Sequence, residues 1–222
     1  MALQQHKPAS LGARETRISD DHRRIAPRRA TYVYAEGTQA VPEQVAVKVL
    51  DGRFAITAIL DIPAGGAEGV IICHGSARGG QSLFIQGRRA YYANNYLGVV
   101  ELRVESGEDV PDGTVCIRFE FEARSRRDLA QDIGAPGIGR LFFDERVVGE
   151  RALPVTIPLA LGRGAVLTTV GRNPGSSVST IYEPPFPFTG TIRSVMYDRL
   201  DSVVRPPAEE RPATVRRPRP AR

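Results

Sequence analysis

Residues 114–122 read Thr-Val-Cys-Ile-Arg-Phe-Glu-Phe-Glu, and this run restricts the fold more tightly than any other. Val115, Ile117, Phe119 and Phe121 recur at a period of two, with Cys116, Arg118, Glu120 and Glu122 between them. A helix would scatter the four apolar side chains around its axis, whereas a strand puts them on one face. Residues 54–60 repeat the pattern, with Phe54, Ile56, Ala58 and Leu60 opposed by Ala55, Thr57 and Ile59. A strand with one apolar face must be covered by a second layer, so the chain has to stack sheets.

The rest of the middle of the chain reads as further short strands: 31–34, 45–49, 70–74, 82–86, 90–92, 98–104, 141–143, 147–148, 152–157, 165–170 and 190–197. Turn residues separate them at Pro63 to Gly66, Gly79-Gly80, Gly87, Asn94-Asn95 and Ser106 to Gly113, and Asp144-Glu145 marks a hairpin. One segment has helical character: Ser125 and Asp128 are spaced as a capping box, Leu129 and Ile133 share a face, and Gly134 is a natural stop. The expected fold is all-β, an antiparallel two-sheet β-sandwich with one short helix.

Charge divides the chain into three. Residues 1–30 carry seven Lys/Arg against three Asp/Glu, and 205–222 carry six Arg against two Glu. The remaining 31–204 hold 17 basic and 20 acidic residues, so the net charge of +5 belongs to the ends. The expected organisation is a flexible N-terminal arm or linker over 1–30, a sandwich domain over 31–204 and a disordered Pro/Arg-rich tail over 205–222. A nucleic-acid surface needs basic residues interleaved with aromatics on the folded body, and the mildly acidic middle argues against that class of partner. No apolar run approaches the length of a membrane span, and no secretory h-region follows Met1. The expectation as written is therefore no membrane partner and a cytoplasmic location. Cys73 and Cys116 are too few for a disulfide framework and read as buried thiols, with one bridge between neighbouring strands left open.

Candidate catalytic groups fail on spacing. Gly75 directly precedes Ser76 in Cys73-His74-Gly75-Ser76-Ala77-Arg78-Gly79-Gly80, so the G-x-S-x-G of a nucleophile elbow is not met. Glu120 and Glu122 share a strand face with Cα atoms ~7 Å apart. That invites comparison with the E-x-D-x-E carboxylates of glycosidases, but neither this strand nor Glu101–Glu105, with Arg103 at its centre, supplies the intervening Asp, and Arg118 stands ready to neutralise Glu120. Gly134, Gly137 and Gly139 lack the Lys-Ser/Thr of a phosphate loop. His6, His22 and His74 are scattered, and no carboxylate run has calcium-loop spacing, so no catalytic, cofactor or metal residue is assigned. Trp is absent, which leaves Tyr91, Tyr92 and Tyr96 with Asn94-Asn95 as the candidate ligand-contact group.

Several segments in collinear order resemble the C-terminal domain of bacterial arylsulfatases, of the sulfatase (alkaline-phosphatase-like) superfamily. They include Val41-Pro42-Glu43-Gln44-Val45-Ala46-Val47, Phe54-Ala55-Ile56-Thr57-Ala58, Gly65-Gly66-Ala67-Glu68-Gly69-Val70 and Gly79-Gly80-Gln81-Ser82-Leu83-Phe84. Tyr92 to Gly98, Ile117 to Phe121, Phe143 to Glu150 and Pro185 to Ile192 complete the series. The closing strand and the hairpin at Asp144 are also similar to laminin-G or concanavalin-A-like sandwiches. The resemblance implies a parent whose chemistry lies in a separate α/β domain, with a formylglycine made from Cys or Ser in C/S-x-P/A-x-R beside a divalent metal. This chain lacks that motif: four residues separate Cys73 from Arg78 where three are required. The expectation is an accessory domain, supporting or rimming a sulfatase catalytic domain or subunit encoded elsewhere. The alternative is a stand-alone carbohydrate-binding, lectin-like module.

Overall fold

The computed structural model describes residues 30–39, 41–42, 46–47, 53–125, 134–157 and 167–200. Their strands are β1 (Thr31–Tyr34), β2 (Val41–Pro42), β3 (Phe54–Ile62), β4 (Gly69–Ser76), β5 (Gly79–Gln86), β6 (Arg89–Tyr96), β7 (Val100–Glu105), β8 (Gly113–Ala123), β9 (Gly137–Phe143), β10 (Arg146–Leu153), β11 (Leu167–Val170) and β12 (Thr191–Arg199). They form two six-stranded sheets, ordered β1-β12-β3-β8-β9-β10 and β2-β11-β4-β5-β6-β7. Neighbours run antiparallel throughout, so the expected all-β two-sheet sandwich is the observed fold.

The alternating runs explain why the sheets meet. Phe54, Ile56, Ala58 and Leu60 on β3 and Val115, Ile117, Phe119 and Phe121 on β8 all face the second sheet and are buried. Leu83, Ile85, Ala90, Tyr92, Leu102 and Val104 meet them from the other side. Tyr92 lies flat on Phe119, ring centroids 3.5 Å apart and planes 7° from parallel. A polar thread runs through this core: Tyr92 Oη donates to Gln81 Oε1 at 2.8 Å, and Gln81 Nε2 donates to Tyr197 Oη at 2.7 Å. Such satisfied contacts keep buried polar atoms from destabilising the fold.

Several boundaries differ from the expectation. Gly79-Gly80 and Asn94-Asn95 are not breaks but lie inside β5 and β6. A side chain on Gly80 would sit 2.5 Å from the His74 carbonyl, so glycine there permits close strand contact rather than a turn. The turn after β6 is Leu97-Gly98, both with positive φ as a two-residue hairpin requires. The strand expected at 152–157 is the end of β10, which stops at Leu153. Ala46 and Val47 are buried but not in a strand, and the remainder of that expected strand lies outside the described residues. The interior of the expected helix, 126–133, also lies outside them, as do the expected arm up to residue 29 and the expected tail.

The two outer faces are treated differently. On the first sheet, Arg118 pairs with Glu120 and covers the Phe142 ring at 4.2 Å. Arg140 bridges Glu122 at 3.1 Å and Glu150 at 2.5 Å. On the second sheet, the long connection between β11 and β12, residues 171–190, folds back across the strands. Val178 and Tyr182 of that connection bury against Val70, Cys73, Phe84 and Ala93, making a second, smaller core. It is pinned at both ends to β4: Gly171 N donates to Ile71 O, and Val70 N to Phe186 O.

Candidate functional site

The covering segment reaches β7 at Glu101, and beyond that point, toward Glu105, the second sheet presents a mixed aromatic and charged surface. The register pairs Tyr91 with Glu105, Ala93 with Arg103 and Asn95 with Glu101, all on the outer side of the sheet. Tyr91 is half-buried and stacks on Phe84, with centroids 5.3 Å apart and planes 15° from parallel. Phe84 packs edge-on against Tyr182, and Tyr182 stacks on Phe186, so the aromatic floor continues beneath the covering segment. Tyr91 Oη donates to Glu105 Oε1 at 3.1 Å. Burial and that bond push its phenol above the ordinary tyrosine value, so it stays protonated at neutral pH.

Glu101 fastens the covering segment to this margin. It accepts hydrogen bonds from Ser179 Oγ, from Thr180 N at 2.9 Å and from Thr180 Oγ1 at 2.8 Å. Arg103 lies beside it, its Nη1 3.5 Å from Glu101 Oε1. Three buried side-chain polar atoms among the described residues have no hydrogen-bond partner: Tyr34 Oη, Gln86 Oε1 and Arg103 Nη1. The last two belong to this outer face, because Gln86 shares its side of β5 with Phe84, and Arg103 stands two residues from Glu105 on β7. Both atoms are shielded from solvent, so the polar groups a ligand can reach beside Tyr91 are the exposed Glu105 carboxylate and the exposed part of the Arg103 side chain. An aromatic ring with polar groups beside it suits a ligand with both apolar and hydroxyl-bearing surface.

The four residues singled out from sequence do not form one surface. Tyr92 is 3% exposed in the inter-sheet core, so it cannot serve as a platform. Asn94 is buried too, its Nδ2 donating to Val155 O at 3.2 Å. Tyr96 is half-buried on the same inward-facing row of β6. Tyr91 alone points outward, because consecutive strand residues face opposite ways. Asn95, also outward, is committed to Ala77 O and Val178 O. Sequence reading weighed Glu101 to Glu105, with Arg103 at its centre, only as a paired-carboxylate pattern and set it aside, without placing these residues beside Tyr91. Their signal was the alternation of charge in 101–105 directly after the tyrosine-rich run.

The other chemistry-bearing groups serve the fold. Cys73 is free and buried, 3.0 Å from Thr169 Oγ1, and burial pushes its thiol up to about 11, which removes thiolate at neutral pH. Cys116 is free and half-buried on the opposite sheet. His74 Nδ1 contacts Thr168 Oγ1 at 2.8 Å rather than Ser76, whose Oγ accepts from Arg78 N at 3.2 Å. His74 and Gln81 line a cavity of about 10 Å³, room for a single water molecule. Glu120 and Glu122 are held by Arg118 and Arg140. No metal-ligating cluster of His, Cys, Asp and Glu occurs among the described residues.

No protein-family model matches the chain, and no curated protein matches it significantly. Among solved structures it is similar to the carbohydrate-binding module CBM40 of the Ruminococcus gnavus IT-sialidase bound to α2,3-sialyllactose. That likeness has a TM-score of 0.47 and 14% identity, covering 77% of this chain and 89% of that one. Domains LG4-5 of the mouse laminin α1 chain give a TM-score of 0.37 at 13% identity, over 76% of this chain and 38% of that one. The botulinum neurotoxin serotype C1 binding domain gives 0.44 at 9%, over 76% and 44% respectively. These are likenesses of one β-sandwich to another, and at such scores they assign no ligand and no residue role to this chain.

Proposed function

We propose that this chain is a non-catalytic binding domain and that the β6–β7 margin of its second sheet holds a carbohydrate. The observation that carries the reading is the setting of Tyr91, whose ring is stacked on Phe84 beside the exposed Glu105 carboxylate and the part-exposed Arg103 side chain. Sugar rings offer apolar C–H faces to an aromatic and hydroxyls to polar neighbours, which is the combination present here. Glu105 adds an exposed carboxylate that can accept from hydroxyls. Glu101 is engaged with Ser179 and Thr180, a use that holds the surface in shape.

The test is a glycan array with sialyllactose, lactose and neutral plant and bacterial glycans, probed with the wild-type chain and Tyr91→Ala. Binding that falls at least about tenfold in Tyr91→Ala, a change of about 1.4 kcal/mol, supports the reading. Wild-type silence across the panel overturns it.

A second reading keeps the sulfatase connection, on the sequence resemblance alone. The segments that resemble arylsulfatase C-terminal domains fall on β3, β5, β6, β8, the β9–β10 hairpin and the run from Pro185 into β12. In that reading the domain packs on, or rims, a catalytic domain carried elsewhere. Stable complex formation with a sulfatase catalytic domain, with no glycan bound, is the outcome that would favour it.

A further inference from the structure

The exposed apolar side chains of this sandwich are not spread evenly over it. Leu97 is 42% exposed, Val99 77% and Val100 42%, and all three stand at the turn between β6 and β7. Asn95 fixes that turn. Its Oδ1 accepts from Gly98 N at 2.8 Å, and its Nδ2 donates to Val178 O at 2.9 Å and to Ala77 O at 3.3 Å. Ala77 belongs to the β4–β5 turn, so the two turns lie side by side; a side chain on Gly98 would meet Arg78 Cα at 3.6 Å. A loop so fixed keeps its apolar side chains in water unless a partner covers them.

Charge divides the sandwich along the same axis. Gln81, near the start of β5, donates to Tyr197, near the end of β12. Both turns therefore share an end of the molecule with the last residues of β12 and β8 and the first of β3. Arg78 and Arg124 are exposed there and Arg199 is part-exposed. No ion pair of these three occurs among the described residues. At the opposite end, Arg88, Arg89, Arg146 and Arg193 are all paired, with Asp109, Asp112, Glu108 and Asp61. The chain also enters and leaves the described fold at the apolar end, where Arg199 N donates to Ala30 O at 2.8 Å. The sequence outside those points is basic: residues 1–30 carry seven Lys/Arg against three Asp/Glu, and 205–222 six Arg against two Glu.

We infer that this end of the sandwich docks on an anionic lipid surface, with Leu97, Val99 and Val100 entering the headgroup layer and Arg78 reaching lipid phosphates. Apolar insertion and attraction to anionic headgroups add, and a small apolar anchor holds only with the second contribution. The expectation of no membrane partner rested on the lack of a spanning run, and an interfacial contact needs none. A second copy is a poor occupant, because it would bring two basic ends together. Nucleic acid is a poor one too, because aliphatic side chains offer no ring for a base to stack on. Tyr91 and Glu105 pair toward the other end of β6 and β7, so the inference is independent of the carbohydrate reading and leaves that surface free.

The experiment is co-sedimentation of the full chain with vesicles of phosphatidylcholine alone, and of phosphatidylcholine with roughly one third phosphatidylserine. Binding is expected to the serine-containing vesicles and should weaken as salt rises. The test variant is Leu97→Asn with Val99→Ser; Leu97 has a φ of 54°, which asparagine accepts, so the turn is kept. It should bind about tenfold or more weakly. Val147→Ser, at an exposed valine of the opposite end, should bind as the wild type does. Melting curves show that each variant is folded. Val99→Asp, which sets a negative charge against the lipid, is the second variant should the first fail to fold, and should bind at least as weakly. Undiminished binding of a folded tip variant overturns the inference and assigns the attraction to the basic segments alone. Wild-type chain that sediments with neither vesicle overturns it as well, whether it self-associates or binds an oligonucleotide instead. Neither outcome touches the carbohydrate reading, which Tyr91→Ala on the glycan array decides.

Discussion

At the scale of single residues, the strand period decides what each side chain can do. Tyr91 and Tyr92 are adjacent in sequence, yet one lies on an outer surface and the other against Phe119 in the core. Truncating Tyr92 would remove a buried aromatic, at a cost of roughly 3–5 kcal/mol, so lost binding there would report unfolding. Tyr91 is the residue whose removal reports on the surface. His74 gives the pH dependence of stability. Desolvation lowers its imidazole from 6.5 to about 4 in the folded state. Between those values the unfolded chain binds the proton and the folded chain does not, so unfolding is favoured as pH falls. The stability is fully present above about pH 6.5 and lost as pH drops toward 4. Replacing His74 by Gln should flatten that loss by on the order of 1–2 kcal/mol, read from urea midpoints at about pH 7 and about pH 4.5. An unchanged slope would show that His74 is not the group responsible.

At the scale of elements, the segment 171–190 determines which part of the second sheet remains open. It has no strand among its residues, yet it buries Val178 and Tyr182 and is stitched to β5, β6 and β7 by side-chain hydrogen bonds. Glu101→Gln keeps the shape and weakens the acceptor to Ser179 and Thr180. Loss of charge-assisted bonds of this kind costs about 1–3 kcal/mol. The expected result is faster amide exchange at Thr180, with exchange in β3 and β8 unchanged; equal protection in the variant would mean that Glu101 does not hold the segment. This element was also the least legible in sequence. β3 and β8 were readable because one face of each is apolar at period two and the other is not. The segment 171–190 has no period, since its residues are positioned one by one by Gly, Pro and side-chain bonds. The role of Glu101 was unreadable for a related reason: its partner Ser179 is 78 residues away in sequence.

At the scale of the whole molecule, two sheets with unlike outer faces give the domain a direction. The first sheet closes its outer charges among themselves through Arg118, Arg140 and their glutamates, and exposed pairs of that kind contribute little to stability. The second sheet is covered as far as Glu101 on β7, and past that point Tyr91, Arg103 and Glu105 remain within reach of solvent. The two-sheet architecture follows from the alternating apolar runs, while the position of the open margin follows from where the covering segment ends. Chemical-shift mapping of the labelled chain during titration with an oligosaccharide that it binds on the array, or with sialyllactose and lactose in turn, tests this arrangement most directly. The expected result is saturable shifts at Tyr91, Arg103, Glu105 and residues 179–186, with the outer face of the first sheet unmoved. Shifts confined to the first sheet, or no shift at all at millimolar sugar, would contradict a carbohydrate site on the second.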